Sequence, residues 1–92
     1  MSIVVRFTPS SPPTTEQYDG VVRTLEEQGD FPPDGLDVHV AFDADGNFRV
    51  DEIWDSREQF DKFGERLMPV LSDAGIEPGE PEVFEVYNIV RR

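Results

Sequence analysis

Apolar and polar residues alternate in four stretches of this chain and recur at helical spacing in two others, an order that predicts β-α-β-β-α-β. Met1 to Thr8 places Ile3, Val5 and Phe7 on one side and Val4 and Arg6 on the other, the period-two pattern of a strand. Pro9 to Pro13 is too rich in proline to continue a ladder and reads as a loop. Thr14 with Gln17 makes a capping box. Tyr18, Val21, Val22 and Leu25 then form one apolar helical face that ends at Gly29.

A turn-rich connection, Phe31 to Gly35, leads into a second alternating run in which Leu36, Val38, Val40 and Phe42 oppose Asp37, His39, Ala41 and Asp43. Reading Ala44, Asp45 and Gly46 as a three-residue hairpin loop predicts the register of the next strand. Phe42 then shares a face with Phe48, Val40 with Val50, Val38 with Glu52 and Leu36 with Trp54, while His39 opposes Asp51 on the other face. A one-residue change in that loop would reverse these assignments.

Asp55 and Glu58 supply a second capping box, and Phe60, Phe63, Leu67, Val70, Leu71 and Ala74 follow as a core stripe. Pro69 is expected to kink or break this helix, and Gly75 to end it. After Pro78, Gly79 and Pro81, the run Glu82 to Val90 alternates as a final strand. The expected fold is α+β and ferredoxin-like, a single domain over residues 1–92 with a four-stranded antiparallel sheet and both helices on one face.

Charge narrows the partners. Twenty acidic residues stand against eight basic ones for a net charge of -12, and Lys62 is the only lysine. Such a chain repels phosphate backbones and anionic bilayers, so neither nucleic acid nor membrane is an expected partner. No stretch approaches the ~20 apolar residues of a membrane span, and the start lacks a signal peptide, so a cytoplasmic location is expected. With no cysteine and one histidine there is no thiolate site and a poor metal-ligand set, and neither metal nor cofactor is expected.

The candidate chemistry is concentrated in a few side chains. In the register above, Glu52 lies among Val38, Val40, Phe42, Phe48, Val50 and Trp54, where a carboxylate is costly to ionise and suits a general acid or base. Pairing with an arginine, capping of a backbone group or a wet strand edge would account for Glu52 without any chemistry. His39 opposite Asp51 makes a weaker dyad candidate, for which a hydrogen bond at a subunit interface is the simpler role. Tyr87 is a third, weaker candidate as acid or donor, on a face shared with Arg6, Arg49 and Glu85. Gly64 in the second helix marks either a widened wall or close packing on the sheet.

The run IWDSREQFDKFGERLMP, with its acid-x-Trp step at Glu52 and Trp54, the cap at Asp55 and the early aromatic Phe60, resembles the dimeric α+β barrel superfamily, close to its antibiotic-biosynthesis-monooxygenase-like branch. The resemblance covers nearly the whole chain. It implies a homodimer in which two sheets form a barrel, with a small-molecule pocket between each sheet and its helices. Trp54, Phe42, Val50, Phe60 and Phe63 are the ligand-binding residues it points to. The implied activity is that of a cofactor-independent monooxygenase-like or isomerase-like enzyme on a small hydrophobic aromatic or polyketide-like compound. The alternative is a non-catalytic dimeric module that binds a small ligand or a protein. Haem-degrading members carry a histidine on the second helix where this chain has Gly64, and an asparagine on the first strand where it has Arg6 and Phe7, so haem degradation is disfavoured.

Overall fold

A computed structural model describes all of residues Met1–Arg92 and shows the predicted order: β1 (Ile3–Phe7), α1 (Thr15–Glu27), β2 (Leu36–Ala44), β3 (Asn47–Trp54), α2 (Arg57–Asp73) and β4 (Glu82–Glu85). The strands form one antiparallel sheet in the order β2-β3-β1-β4. Both helices pack on one face, where Ile3, Val5, Val21, Leu25, Trp54, Phe60, Phe63, Val70 and Leu71 make the core. No helix is long and apolar enough to cross a membrane.

The capping box at Thr14 is present in full: its hydroxyl accepts from the Gln17 N–H at 3.0 Å, and Gln17 Oε1 accepts from the Thr14 N–H at 2.8 Å. The Gln17 amide also donates to the Ala74 carbonyl at 3.1 Å, tying the start of α1 to the end of α2. The second cap falls one residue later than predicted. Ser56, not Asp55, accepts from the Gln59 N–H at 3.2 Å, and the Asp55 N–H is committed to the Gly35 carbonyl at 2.8 Å, which removes the reciprocal bond of a capping box at Asp55. Gly75, at φ 75°, ends α2 as expected, with the Ile76 N–H closing onto the Leu71 carbonyl at 2.9 Å.

Three expectations are corrected. α2 continues through Pro69 rather than breaking there. Pro69 is exposed, so the carbonyl that loses its N–H partner lies on the side where water can satisfy it. A Cβ at Gly64 would meet nothing within 4 Å, so close packing does not account for this glycine. The last strand stops at Glu85; beyond it the Val86 N–H bonds the Ser2 carbonyl, and Tyr87 is fully exposed.

The largest correction is the hairpin register. Asp45 (φ 55°) and Gly46 (φ 87°) form a two-residue turn, with Ala44 opposite Asn47, which matches the left-handed backbone that a tight hairpin turn needs at both positions. His39 therefore opposes Glu52, Val40 opposes Asp51, and Phe42 opposes Arg49. Val38, Val40 and Phe42 move to the face away from the helices, and His39 moves under them. A bulge between Leu36 and Val38 absorbs the extra residue and restores the expected Leu36–Trp54 pair.

Candidate active site

β3 carries Phe48, Val50, Glu52 and Trp54 on the helix-facing side, and the corrected register sets His39 of β2 beside Glu52. α1 presents Tyr18 to the same place. Glu52 is the one charged side chain among the eleven buried residues. An isolated buried carboxylate is costly, and here both oxygens are occupied. Trp54 Nε1–H donates to Oε1 at 3.0 Å, and His39 Nδ1–H donates to Oε2 at 2.6 Å. The other imidazole nitrogen, Nε2, lies 2.7 Å from the Tyr18 hydroxyl. Trp54, Glu52, His39 and Tyr18 thus form one hydrogen-bonded line.

Aromatic packing holds that line in place. Tyr18 stacks on the His39 ring with centroids 6.0 Å apart, and Phe31 meets the same ring edge-on at 5.6 Å. Phe48 lies 5.3 Å from Tyr18, and Trp54 sits 5.6 Å from both Phe60 and Phe63. Burial, then the negative charge of Glu52 and that of Asp19, push the Tyr18 hydroxyl above its ordinary pKa. At neutral pH it is a phenol, not a phenolate.

The line borders a cavity of about 80 Å³ between sheet and helices. Of its lining side chains only Tyr18, His39 and Glu52 carry polar atoms; the rest are Phe, Val, Leu, Ile and Pro, with Pro9, Pro13 and Pro78 contributed by loops. For scale, an apolar cavity of about 150 Å³ holds benzene. This one accepts at most a very small molecule unless the proline-bearing loops separate, so a multi-ring compound does not fit it as it stands.

Of the side chains singled out from the sequence, Glu52, His39, Val50 and Phe63 line the cavity. Trp54, with no exposed surface, lies behind Glu52 as its hydrogen-bond donor, and Phe60 packs on Trp54 outside the lining. Phe42 is on the opposite face of the sheet. Tyr87 is remote from the line, in the segment after β4. Arg6 and Asp51, also on the opposite face, pair with each other at 2.9 and 3.0 Å. No three histidine or acidic side chains come together in a group that would hold a metal ion.

Tyr18 was missed as a site residue because its place in the apolar stripe of α1 gave it a packing role. Its polar tip is the available signal: a tyrosine on a core-facing stripe needs a hydrogen-bond partner.

No known family pattern and no curated protein matches the sequence. Solved structures do match. SnoaB, a cofactor-independent oxygenase from Streptomyces nogalater, superposes with a TM-score of 0.61 at 18% identity, over 99% of this chain and 96% of its own. Its β-α-β-β-α-β fold is shared by this chain. Protein YJCS matches with a TM-score of 0.62 at 14% identity, covering 94% of this chain and 99% of its own. A Deinococcus radiodurans protein named, provisionally, as an antibiotic biosynthesis monooxygenase gives 0.57 at 16% identity over 100% and 98%. At such identities the likeness establishes the fold alone.

Proposed function

We propose that this protein is an acid–base enzyme for a small, largely apolar aromatic or enolic compound, with the Glu52–His39 pair as its base. The observation that carries this reading is a buried carboxylate, imidazole and phenol bonded in line at the wall of an otherwise apolar cavity. Histidine held by a carboxylate on one nitrogen is oriented to take a proton on the other, and the carboxylate stabilises the imidazolium that results. Removal of a proton is shared by isomerisation and by cofactor-independent oxygenation, the activity carried by the name of SnoaB. At about 80 Å³ the cavity admits even a one-ring ligand only if the proline-bearing loops separate, and a polyketide-like one would need a far larger opening.

The same reading includes a homodimer formed through the uncovered face of the sheet, where Val38, Val40 and Phe84 are exposed. A non-catalytic binding module is the competing reading, and one experiment separates the two. Resorcinol, a one-ring phenol whose ring hydrogens exchange through its anion, is incubated with the protein in D2O and followed by proton NMR. The enzyme reading expects faster ring deuteration than in buffer, falling about 100-fold or more in Glu52→Gln. Saturable binding of resorcinol without any such acceleration is the binding-module result.

A further inference from the structure

We infer that Tyr18 is the side chain that touches the substrate, and that the substrate meets it with a hydroxyl that donates a hydrogen bond. This rests on the acid–base reading of the site and specifies which atom does the contacting. The reasoning is an inventory of hydrogen-bonding capacity. Both carboxylate oxygens of Glu52 are engaged, one by the Trp54 indole and one by His39. Both ring nitrogens of His39 are engaged, Nδ1 by Glu52 and Nε2 by Tyr18.

With Nδ1–H committed to Glu52, the neutral imidazole offers Nε2 as an acceptor, and the Tyr18 hydroxyl spends its single hydrogen there. What remains is the second acceptor site on the Tyr18 oxygen. The Glu52 carboxylate keeps lone pairs of its own, but it is buried at 4% exposure while Tyr18 is half-buried, and every lining residue other than Tyr18, His39 and Glu52 is apolar, so the Tyr18 oxygen is the accessible acceptor. A ligand that can only accept, such as an ether, finds no partner in this state. A phenol or enol does.

The geometry also gives the proton a route. The substrate O–H gives its proton to the Tyr18 oxygen as the Tyr18 proton passes to His39 Nε2. The products are the substrate anion, a neutral Tyr18 and an imidazolium beside the Glu52 carboxylate. Nothing is oxidised or reduced: return of the proton from His39 through Tyr18 to oxygen restores the site, and where solvent instead protonates a ring carbon, the His39 imidazolium releases its proton to solvent. The raised pKa of Tyr18 agrees with a resting state in which its hydroxyl is protonated.

The test compares phenol with anisole, which has a similar shape and lacks the donor, by NMR titration of the intact protein and of Tyr18→Phe. Wild type is expected to bind phenol about tenfold more tightly than anisole, the scale of one hydrogen bond. In Tyr18→Phe the ratio should fall to about one with anisole affinity unchanged, because the oxygen that accepts the phenol hydrogen, 2.7 Å from His39 Nε2, is gone. Unchanged anisole binding also shows that the variant is folded.

Equal binding of the two probes by wild type would overturn the inference, as would a phenol preference that survives in Tyr18→Phe. The resorcinol exchange in the same variant keeps the two levels apart. Exchange lost in Glu52→Gln but retained in Tyr18→Phe removes Tyr18 from contact and leaves the acid–base reading standing; exchange absent from wild type removes both.

Discussion

Asp51 and Glu52 are neighbours on one strand, and each has a basic partner, yet they lie in opposite environments. Asp51 points away from the helices and pairs with Arg6 across β1, through two hydrogen bonds of 2.9 and 3.0 Å on a surface where both side chains reach water. Glu52 points under the helices, is buried, and pairs with His39 at 2.6 Å while also taking the Trp54 indole N–H. The exposed pair gains little, because water and salt screen it and two long side chains must be held still. The buried group is costly to leave without partners, so its surroundings have to be built around it. A residue set so demandingly in a core, beside a cavity, is a better candidate for chemistry than the better-looking ion pair on the surface.

That contrast can be broken at three points. Glu52→Ala is the severest. It leaves the Trp54 and His39 donors facing a void, and a loss of about 3–5 kcal/mol in urea unfolding is expected, with Glu52→Gln milder because it retains an acceptor for one of them. A Glu52→Ala protein as stable as wild type would mean that the buried line is not structurally demanding.

Second comes the uncovered face. Val40→Asp puts a carboxylate beside Asp51 in the pair that faces away from the helices. Sedimentation should shift from a dimer to the 10.5 kDa single chain with the fold retained; a wild-type protein that already sediments as a single chain at micromolar concentration removes the dimer proposal. The smallest effect is expected at Arg6. Arg6→Ala should leave the thermal midpoint unchanged within scatter, and a clear drop would show that the surface pair does more than its exposure implies.

The element order was readable because each element announces itself locally. Thr14 and Gln17 begin α1 wherever the helix is placed, and the alternation of Asn47 to Trp54 is that of a strand in any sheet. The final strand was overextended because alternation in Val86 to Val90 is equally compatible with an unpaired segment. Periodicity shows what a strand could bury, not whether a neighbour is there. The second helix cap falls one residue from its expected place for a related reason: Asp55 and Ser56 are both good cap residues, and the long-range bond from the Asp55 N–H to Gly35 ties Asp55 to the loop before β2.

Glu52 stood out from the sequence alone, as a carboxylate two residues from the only tryptophan on a strand otherwise apolar on that side. Its partners did not. A strand repeats every two residues, so counting the hairpin loop as three residues instead of two puts both His39 and Phe42 on the wrong face. The Asp45–Gly46 pair carried the better signal for the tight turn.

By itself, then, the sequence determined the α+β order, the helix-facing side of β3 and the presence of one anomalous acid within it, all properties of short runs of neighbours. Tertiary structure decided what that acid touches. Tyr18, His39 and Glu52 come from α1, β2 and β3, and they meet only when the turn sets the register and α1 lies over the sheet. No local pattern encodes a contact across three elements, because each depends on distances that exist only after the chain has packed.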